Sequence, residues 1–151
     1  MDLRYKYFGL IFGRNRKVCR LDSAQFPEED GSHVAVWSGI NSDKMHWVQG
    51  GVQMTAGTQS PDAYIEINKD GQHPHYEGWP VAFGDKVTVT LIKRPNGNWK
   101  LKVNFNGQSH VSDEVYIGRN NTTDAMLEIL GHAKATGHIN GRKVQGNTIP
   151  K

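Results

Sequence analysis

A carboxamide set between an indole and a glycine is the feature of this sequence that most invites chemistry. In Trp47-Val48-Gln49-Gly50-Gly51-Val52-Gln53, the odd-numbered residues share one face of an extended strand. Trp47, Gln49, Gly51 and Gln53 therefore line up together. A core face has little use for two amides, and a glycine leaves room for another backbone to approach. The pattern describes a groove floor, or else an exposed sheet face with ordinary polar residues. His73-Pro74-His75, with Glu77 two residues on, places two imidazoles and a carboxylate on one stretch. That is a start on a metal site, but it also describes a solvated loop after Asp70-Gly71. We expect the loop and no metal, the proline arguing against a regular ladder. Cys19 sits between Lys17 and Arg20, neighbours that lower a thiol's pKa. A lone inert thiol buried on a strand is the expectation. Arg14, Arg16, Lys17 and Arg20 form a basic cluster, read as a solvated face, and a nucleic-acid partner is not expected. His132 and His138 have no obvious partner.

Those groups must be held by strands. Seventeen glycines and six prolines in 151 residues imply many turns and few long helices. Asp70-Gly71, Asn96-Gly97, Asn106-Gly107 and Asn140-Gly141 are hairpin turn pairs. Between them, Lys86–Lys93 and Trp99–Phe105 alternate apolar and polar residues, and Gln108–Tyr116 completes a three-strand antiparallel meander. Val18–Leu21, Val34–Ile40, Lys44–Thr55, Ala63–Asn68 and the tail Ala133–Val144 are further strand candidates. The chain is long enough for one domain. We expect an all-β, two-sheet antiparallel sandwich with few or no helices over residues 21–151, and an N-terminal strand or basic arm over residues 1–20. Residues 122–131 fit either a short helix, with Glu128 turned to solvent, or a strand. The all-β context favours the strand, which puts Asp124, Met126 and Glu128 on one face.

Four segments resemble, in order and spacing, the glutamic peptidases of the eqolisin (scytalidoglutamic peptidase) family. Trp37-Ser38-Gly39-Ile40 looks like its Trp-Val-Gly-Ile strand, and Trp47-Val48-Gln49-Gly50-Gly51 is similar to its Leu-Gln-x-Gly strand. Asp62-Ala63-Tyr64-Ile65-Glu66 is similar to its Ala-Trp-Tyr-Glu strand, and Phe83-Gly84-Asp85-Lys86-Val87 to its Gly-Asp-x-Ile start. Asp124–Glu128 then stands where the family has an acidic-aromatic-apolar strand ending in its catalytic glutamate. The resemblance spans roughly residues 34 to 130. Asn41 and Gln53 stand where the family has acidic residues, and Tyr64 and Asn68 where it has other aromatic groove residues.

The resemblance implies a jelly-roll sandwich and a peptide-bond hydrolase that needs no cofactor. Glu128 would be the general base acting on a water, and Gln49 the donor to the oxyanion. Trp37, Trp47, Tyr64, Glu66, Gln53 and Asn41 would line the substrate groove, with a polypeptide as the partner. A glutamate near its ordinary pKa of about 4.3 works best in acid. The alternative on the same sandwich is a non-catalytic module in which Trp37, Trp47 and Tyr64 hold an oligosaccharide or an extended peptide.

Composition narrows the rest. Hydrophobic residues make up 36% and charged residues 22%, with a net charge of +3. The apolar run at residues 7–12 is far short of the roughly 20 residues a spanning helix needs, so no membrane partner is expected. It is also short for a signal segment, whereas the family resemblance implies secretion. The single cysteine excludes an intramolecular disulfide and a cysteine-rich zinc site.

Overall fold

The structure, a computed structural model, describes residues 15–27, 31–42, 45–118 and 120–149. Its strands in chain order are β1 (Arg16–Gln25), β2 (His33–Ser42), β3 (Trp47–Thr55), β4 (Asp62–Asn68), β5 (His75–Pro80), β6 (Lys86–Lys93), β7 (Asn98–Phe105), β8 (Gln108–Val111), β9 (Val115–Tyr116), β10 (Asn121–Leu130), β11 (Lys134–Ile139), β12 (Arg142–Val144) and β13 (Gly146–Ile149). One sheet runs β12-β11-β1-β6-β7-β8, with β9 also on β7. The other runs β13-β10-β2-β3-β4-β5. The pairings are antiparallel except β10 with β13, which is parallel. The chain is thus the expected all-β sandwich.

Period-two alternation decides what goes between the sheets. Val87, Val89 and Leu91 of β6 and Trp99, Leu101, Val103 and Phe105 of β7 are buried. They meet Val34, Val36 and Ile40 of β2, Val48 and Val52 of β3, and Leu127 and Ile129 of β10 in one apolar cluster. Burying such side chains stabilises by about 1.5–3 kcal/mol each, before conformational entropy is set against it. Cys19 is in this core and fully buried, and loss of hydration pushes its thiol up to about 12, as an inert thiol requires.

The favoured strand reading of the segment ending in Glu128 holds, and several other sequence expectations are corrected. Residues 121–130 are a strand in ten-residue register with β2, from Asn121 opposite Ser42 to Leu130 opposite His33. The helical alternative loses because Leu127 and Ile129 bury inward while the residues between them face the other way. The third meander strand is two, β8 and β9: at Ser112 the backbone N–H still donates to the Leu101 carbonyl, but the Ser112 hydroxyl accepts the Leu101 N–H in place of a backbone carbonyl. The tail is a hairpin rather than one strand, since Asn140 and Gly141, both at positive φ, turn β11 into β12. His75 and Glu77, expected in a loop with His73, lie on the edge strand β5, which pairs with β4 and ends at Pro80. Proline is tolerated there because an edge strand pairs on one side only. His73 belongs to the turn, its Nδ1 2.7 Å from Asp70 Oδ2. His138, expected to lack a partner, has Nδ1 2.5 Å from Asp22 Oδ2 and 2.8 Å from Arg20 Nη2. The N-terminal segment 1–20 lies mostly outside the described residues, and from Arg16 it is part of β1.

Candidate active site

β2 is buried on both faces, which an ordinary surface strand is not. Its inward set joins the core. Its outward set, Ala35 and Trp37, packs with Tyr64 of β4 and Met126 of β10 into a second small cluster. This cluster is the floor of a groove on the outer face of the six-stranded sheet.

Register places the side chains across that face. One rung runs Asp124, Gly39, Gln49, Glu66, Tyr76. The next runs Met126, Trp37, Gly51, Tyr64, Gly78, and the third Glu128, Ala35, Gln53, Asp62, Pro80. A fourth, beyond Gln49, holds Thr122, Asn41, Trp47 and Asn68. All eight residues named from the sequence therefore share one face. Gln49 and Glu128 stand two rungs apart, with the rung of Trp37 between them.

The floor requires its glycines. A Cβ on Gly51 would sit 2.0 Å from the Val36 carbonyl oxygen, and one on Gly39 would sit 2.7 Å from Gln49 Cβ. No side chain therefore stands between Gln49 and the strand beside it.

The polar groups form two linked sets. Gln49 Nε2 donates to Glu66 Oε1 at 3.3 Å and, at the limit of a hydrogen bond, to the Tyr64 hydroxyl at 3.5 Å. The carboxylate that Gln49 touches is Glu66, which the sequence reading had only as a groove-lining residue. Four residues along β3, Gln53 Nε2 donates to the Tyr76 hydroxyl at 2.8 Å and to Asp62 Oδ2 at 3.4 Å. The Tyr76 hydroxyl donates to Asp62 Oδ2 at 3.2 Å. Tyr76 stacks on Tyr64 with centroids 5.6 Å apart. At the far end, the Thr122 hydroxyl donates to Asn41 Oδ1 at 2.9 Å. The indole N–H of Trp37 is buried and has no partner.

Electrostatics tie Glu128 to the same groove. Burial raises the Glu66 pKa, the Gln49 hydrogen bond lowers it, and the charge of Glu128 raises it again. Tyr64 is raised well above the usual phenol value, first by burial and then by neighbouring charges, Glu128 among them. Burial likewise lowers the pKa of His33, at the start of β2.

The groove carries two hollows. One of about 300 Å³ is lined by Trp37, Gly39, Asn41, Trp47 and Gln49. The other, about 450 Å³, is lined by His33, Gln53, Asp62, Tyr64, Glu66 and Tyr76. Sequence reasoning missed His33, Asp62 and Tyr76. Asp62 alternates in phase with Tyr64 and Glu66, and that phase was the available signal. A roomier hollow of about 770 Å³ beside Pro95–Gly97 is lined by Lys93, Arg94 and Tyr116. No carboxylate lines it. Among the described residues, no three metal-ligating side chains gather at one point.

Known proteins share this fold. Residues 17–124, more than two-thirds of the chain, match the sequence profile of the Peptidase A4 family. The matched span includes Gln49 and ends just before Glu128. A search of curated protein sequences finds no significant match. Among solved structures, scytalido-glutamic peptidase with a transition state analog inhibitor superposes with a TM-score of 0.56 at 12% identity, over 86% of this chain and 76% of that one. The same peptidase with a peptide-based transition state analog gives 0.54 at 12% identity, over 85% and 75%. SCP-B, a member of the eqolisin family in complex with the tripeptide Ala-Ile-His, gives 0.52 at 12% identity, over 85% and 74%. The profile match, on a sandwich of the same fold, shows that the chain belongs to the Peptidase A4, or eqolisin, family of peptidases.

Proposed function

We propose that the groove hydrolyses peptide bonds of a polypeptide substrate, with Glu128 as general base and Gln49 as oxyanion donor. Glu128 takes a proton from a water whose oxygen attacks the scissile carbonyl carbon. The carbonyl oxygen becomes an oxyanion and accepts an N–H of Gln49. A carboxamide has two such donors; one holds Glu66 at 3.3 Å, and the other, only 3.5 Å from the Tyr64 hydroxyl, exchanges that weak contact for the substrate oxygen. The intermediate then collapses, the C–N bond breaks, and Glu128 returns its proton to the leaving amine. No covalent intermediate and no metal enter this sequence. Glu66 fixes the amide of Gln49. Trp37, Trp47, Tyr64, Gln53 and Asn41 shape the groove along the substrate.

The observation that carries this reading is the shared face. An amide donor and a glutamate stand on one side of a glycine-floored sheet, and the glutamate's charge is felt by the amide's own partner, Glu66. Removing one donor of this kind typically costs about 100- to 1,000-fold in kcat. The oligosaccharide alternative asks for open aromatic faces. Trp37 is 8% and Tyr64 2% exposed, which disfavours flat stacking on either.

The test is cleavage of a mixed peptide library from about pH 2 to 8, read by mass spectrometry. Wild-type protein is expected to cut, and Glu128→Gln to lose the activity while keeping its circular dichroism spectrum. Equal cleavage by the folded Glu128→Gln variant would reject Glu128 as the base.

A further inference from the structure

We propose that the outer face of the seven-stranded sheet, on the opposite side of the sandwich from the groove, binds an anionic polysaccharide of the polyuronate type. The inference does not rest on the catalytic reading.

Charge is segregated between the two sheets. Among the described residues, the strands of the six-stranded sheet carry Asp62, Glu66, Glu77, Asp124 and Glu128 and no lysine or arginine. Those of the seven-stranded sheet carry Asp22 as their only carboxylate. Alternation turns Val87, Val89 and Leu91 inward, so Lys86, Thr88 and Thr90 face out. By register, Arg16 and Arg20 of β1, Lys100 and Lys102 of β7 and Lys143 of β12 share that outer face. The basic cluster read at Arg16 and Arg20 is thus one part of a patch that strand pairing extends with cations distant in the chain. Asp22 is taken up by Arg20 and His138. Arg16, Lys86, Lys102 and Lys143 pair with no carboxylate among the described residues. Like charges gathered without a counter-charge repel one another, and an anionic partner relieves them.

The order of the rows points to the class of partner. One rung runs Lys143, His138, Arg20, Lys86. The next runs Val18, Thr88, Asn104, Ser109, and the third Arg16, Thr90, Lys102, Val111. Two cationic rows therefore flank a middle row in which Thr88, Asn104 and Ser109 offer hydroxyls and an amide. Neighbouring strands stand about 4.8 Å apart, and at about 3.3 Å per residue the two cationic rows are about 13 Å apart. A polyuronate carries a carboxylate on each sugar and free hydroxyls beside it. A chain laid across the strands meets cations and neutral hydrogen-bonding groups within one strip. These three rows hold no phenylalanine, tyrosine or tryptophan. Single-stranded nucleic acid draws on such rings for base stacking, and a bilayer surface draws on them for anchoring. A nucleic-acid duplex recedes into a groove between its phosphate strands, which leaves the middle row unused. The carboxylates of the six-stranded sheet repel the same polymer, so a bound chain leaves the groove open.

The test is binding of polygalacturonate oligomers to the full chain at about pH 6 and low salt, read by isothermal titration calorimetry. The wild-type protein is expected to bind, and at least tenfold more weakly when salt rises from about 20 to about 200 mM. The methyl-esterified oligomer, which keeps hydroxyls and loses charge, should not bind. Lys86→Gln with Lys102→Gln should weaken binding about tenfold, the scale of two exposed ion pairs. Lys69→Glu removes the same net charge away from this face, where Lys69 pairs with Asp113, and should change binding less than about twofold. Thr88→Val with Asn104→Ala should weaken it about threefold through lost hydrogen bonds. Melting temperatures identify any variant that has lost its fold, and the esterified oligomer and the salt series need no variant. No binding by the wild type, equal binding of the esterified oligomer, or equal weakening by Lys69→Glu overturns the proposal. So does an unchanged affinity in the folded Thr88→Val, Asn104→Ala variant. A DNA duplex or phosphatidylglycerol vesicles held more tightly than the oligomer through Lys86 and Lys102 would overturn it in favour of that partner. None of these readings involves peptide cleavage, so loss of the catalytic reading and loss of this one are told apart.

Discussion

Gly51→Ala tests whether the groove floor is built as described. An alanine Cβ there would lie 2.0 Å from the Val36 carbonyl oxygen, 2.8 Å from Trp37 Cα and 3.0 Å from Val36 carbon. All three are backbone atoms of β2, so no flexible side chain can swing away. Strands β2 and β3 would have to separate by about 1 Å at the rung that joins Trp37 to Tyr64. Overpacking costs about 1–3 kcal/mol, and weakening one ladder hydrogen bond adds about 0.5–1.5 kcal/mol. The expected loss is about 2–4 kcal/mol, a large part of the roughly 5–15 kcal/mol that holds a domain of this kind together. With a urea slope of about 2 kcal/mol/M, the unfolding midpoint should fall by about 1–2 M. Gly57→Ala is the control. Nothing lies within 4 Å of its Cβ, and the only penalty is its φ of +91°, so about 1 kcal/mol is expected. A Gly51→Ala midpoint equal to or above that of Gly57→Ala would mean that the two strands are not in the close register that brings Gln49 and Trp37 together.

Three further outcomes follow from the same geometry. Glu66 has a folded pKa above its unfolded value, so its stabilising contribution is complete below the unfolded carboxyl pKa and is lost as pH rises through the folded one. Glu66→Gln should therefore gain in melting temperature relative to wild type on going from about pH 4 to pH 7, and a difference that stays constant with pH contradicts this. Gln49→Ala should raise the Glu66 pKa further, because the one hydrogen bond that lowers it is gone; carboxyl-carbon NMR titration reads this directly, and a fall or no change refutes the contact. Cys19, fully buried with its thiol pushed up to about 12, should resist a thiol-specific disulfide reagent at pH 8 and react fully in denaturant. Rapid labelling of folded protein would show that β1 is not packed as described.

Legibility in the sequence followed exposure. β6 and β7 have one wet and one dry face and short turns, so alternation and Asn-Gly pairs marked them. β2 hid its nature because both faces are dry, and only the tryptophan and glycine in it hinted that the outer face does something. β5 was invisible because nearly all of it is exposed at a sheet edge, which leaves no periodicity, and Pro74 just before it read as loop. With β5 went Tyr76, and hence the network through Gln53 and Asp62. The shared face of Trp47, Gln49 and Gln53 was legible because period two fixes it locally. That Gln49 holds Glu66 was not legible, because which residue of β4 lies opposite is set by register rather than by spacing along the chain. Glu128 depended on strand against helix, and ten successive pairings with β2 decide it.

The most direct test of the account is a double-mutant cycle in peptide hydrolysis. It compares kcat/KM for wild type, Glu128→Gln, Gln49→Ala and the double variant on one peptide. Residues acting on the same water and carbonyl are strongly non-additive, so the double variant should be about as slow as the slower single one. Losses that multiply, or a Gln49→Ala variant as fast as wild type, would contradict a shared reaction centre in the groove.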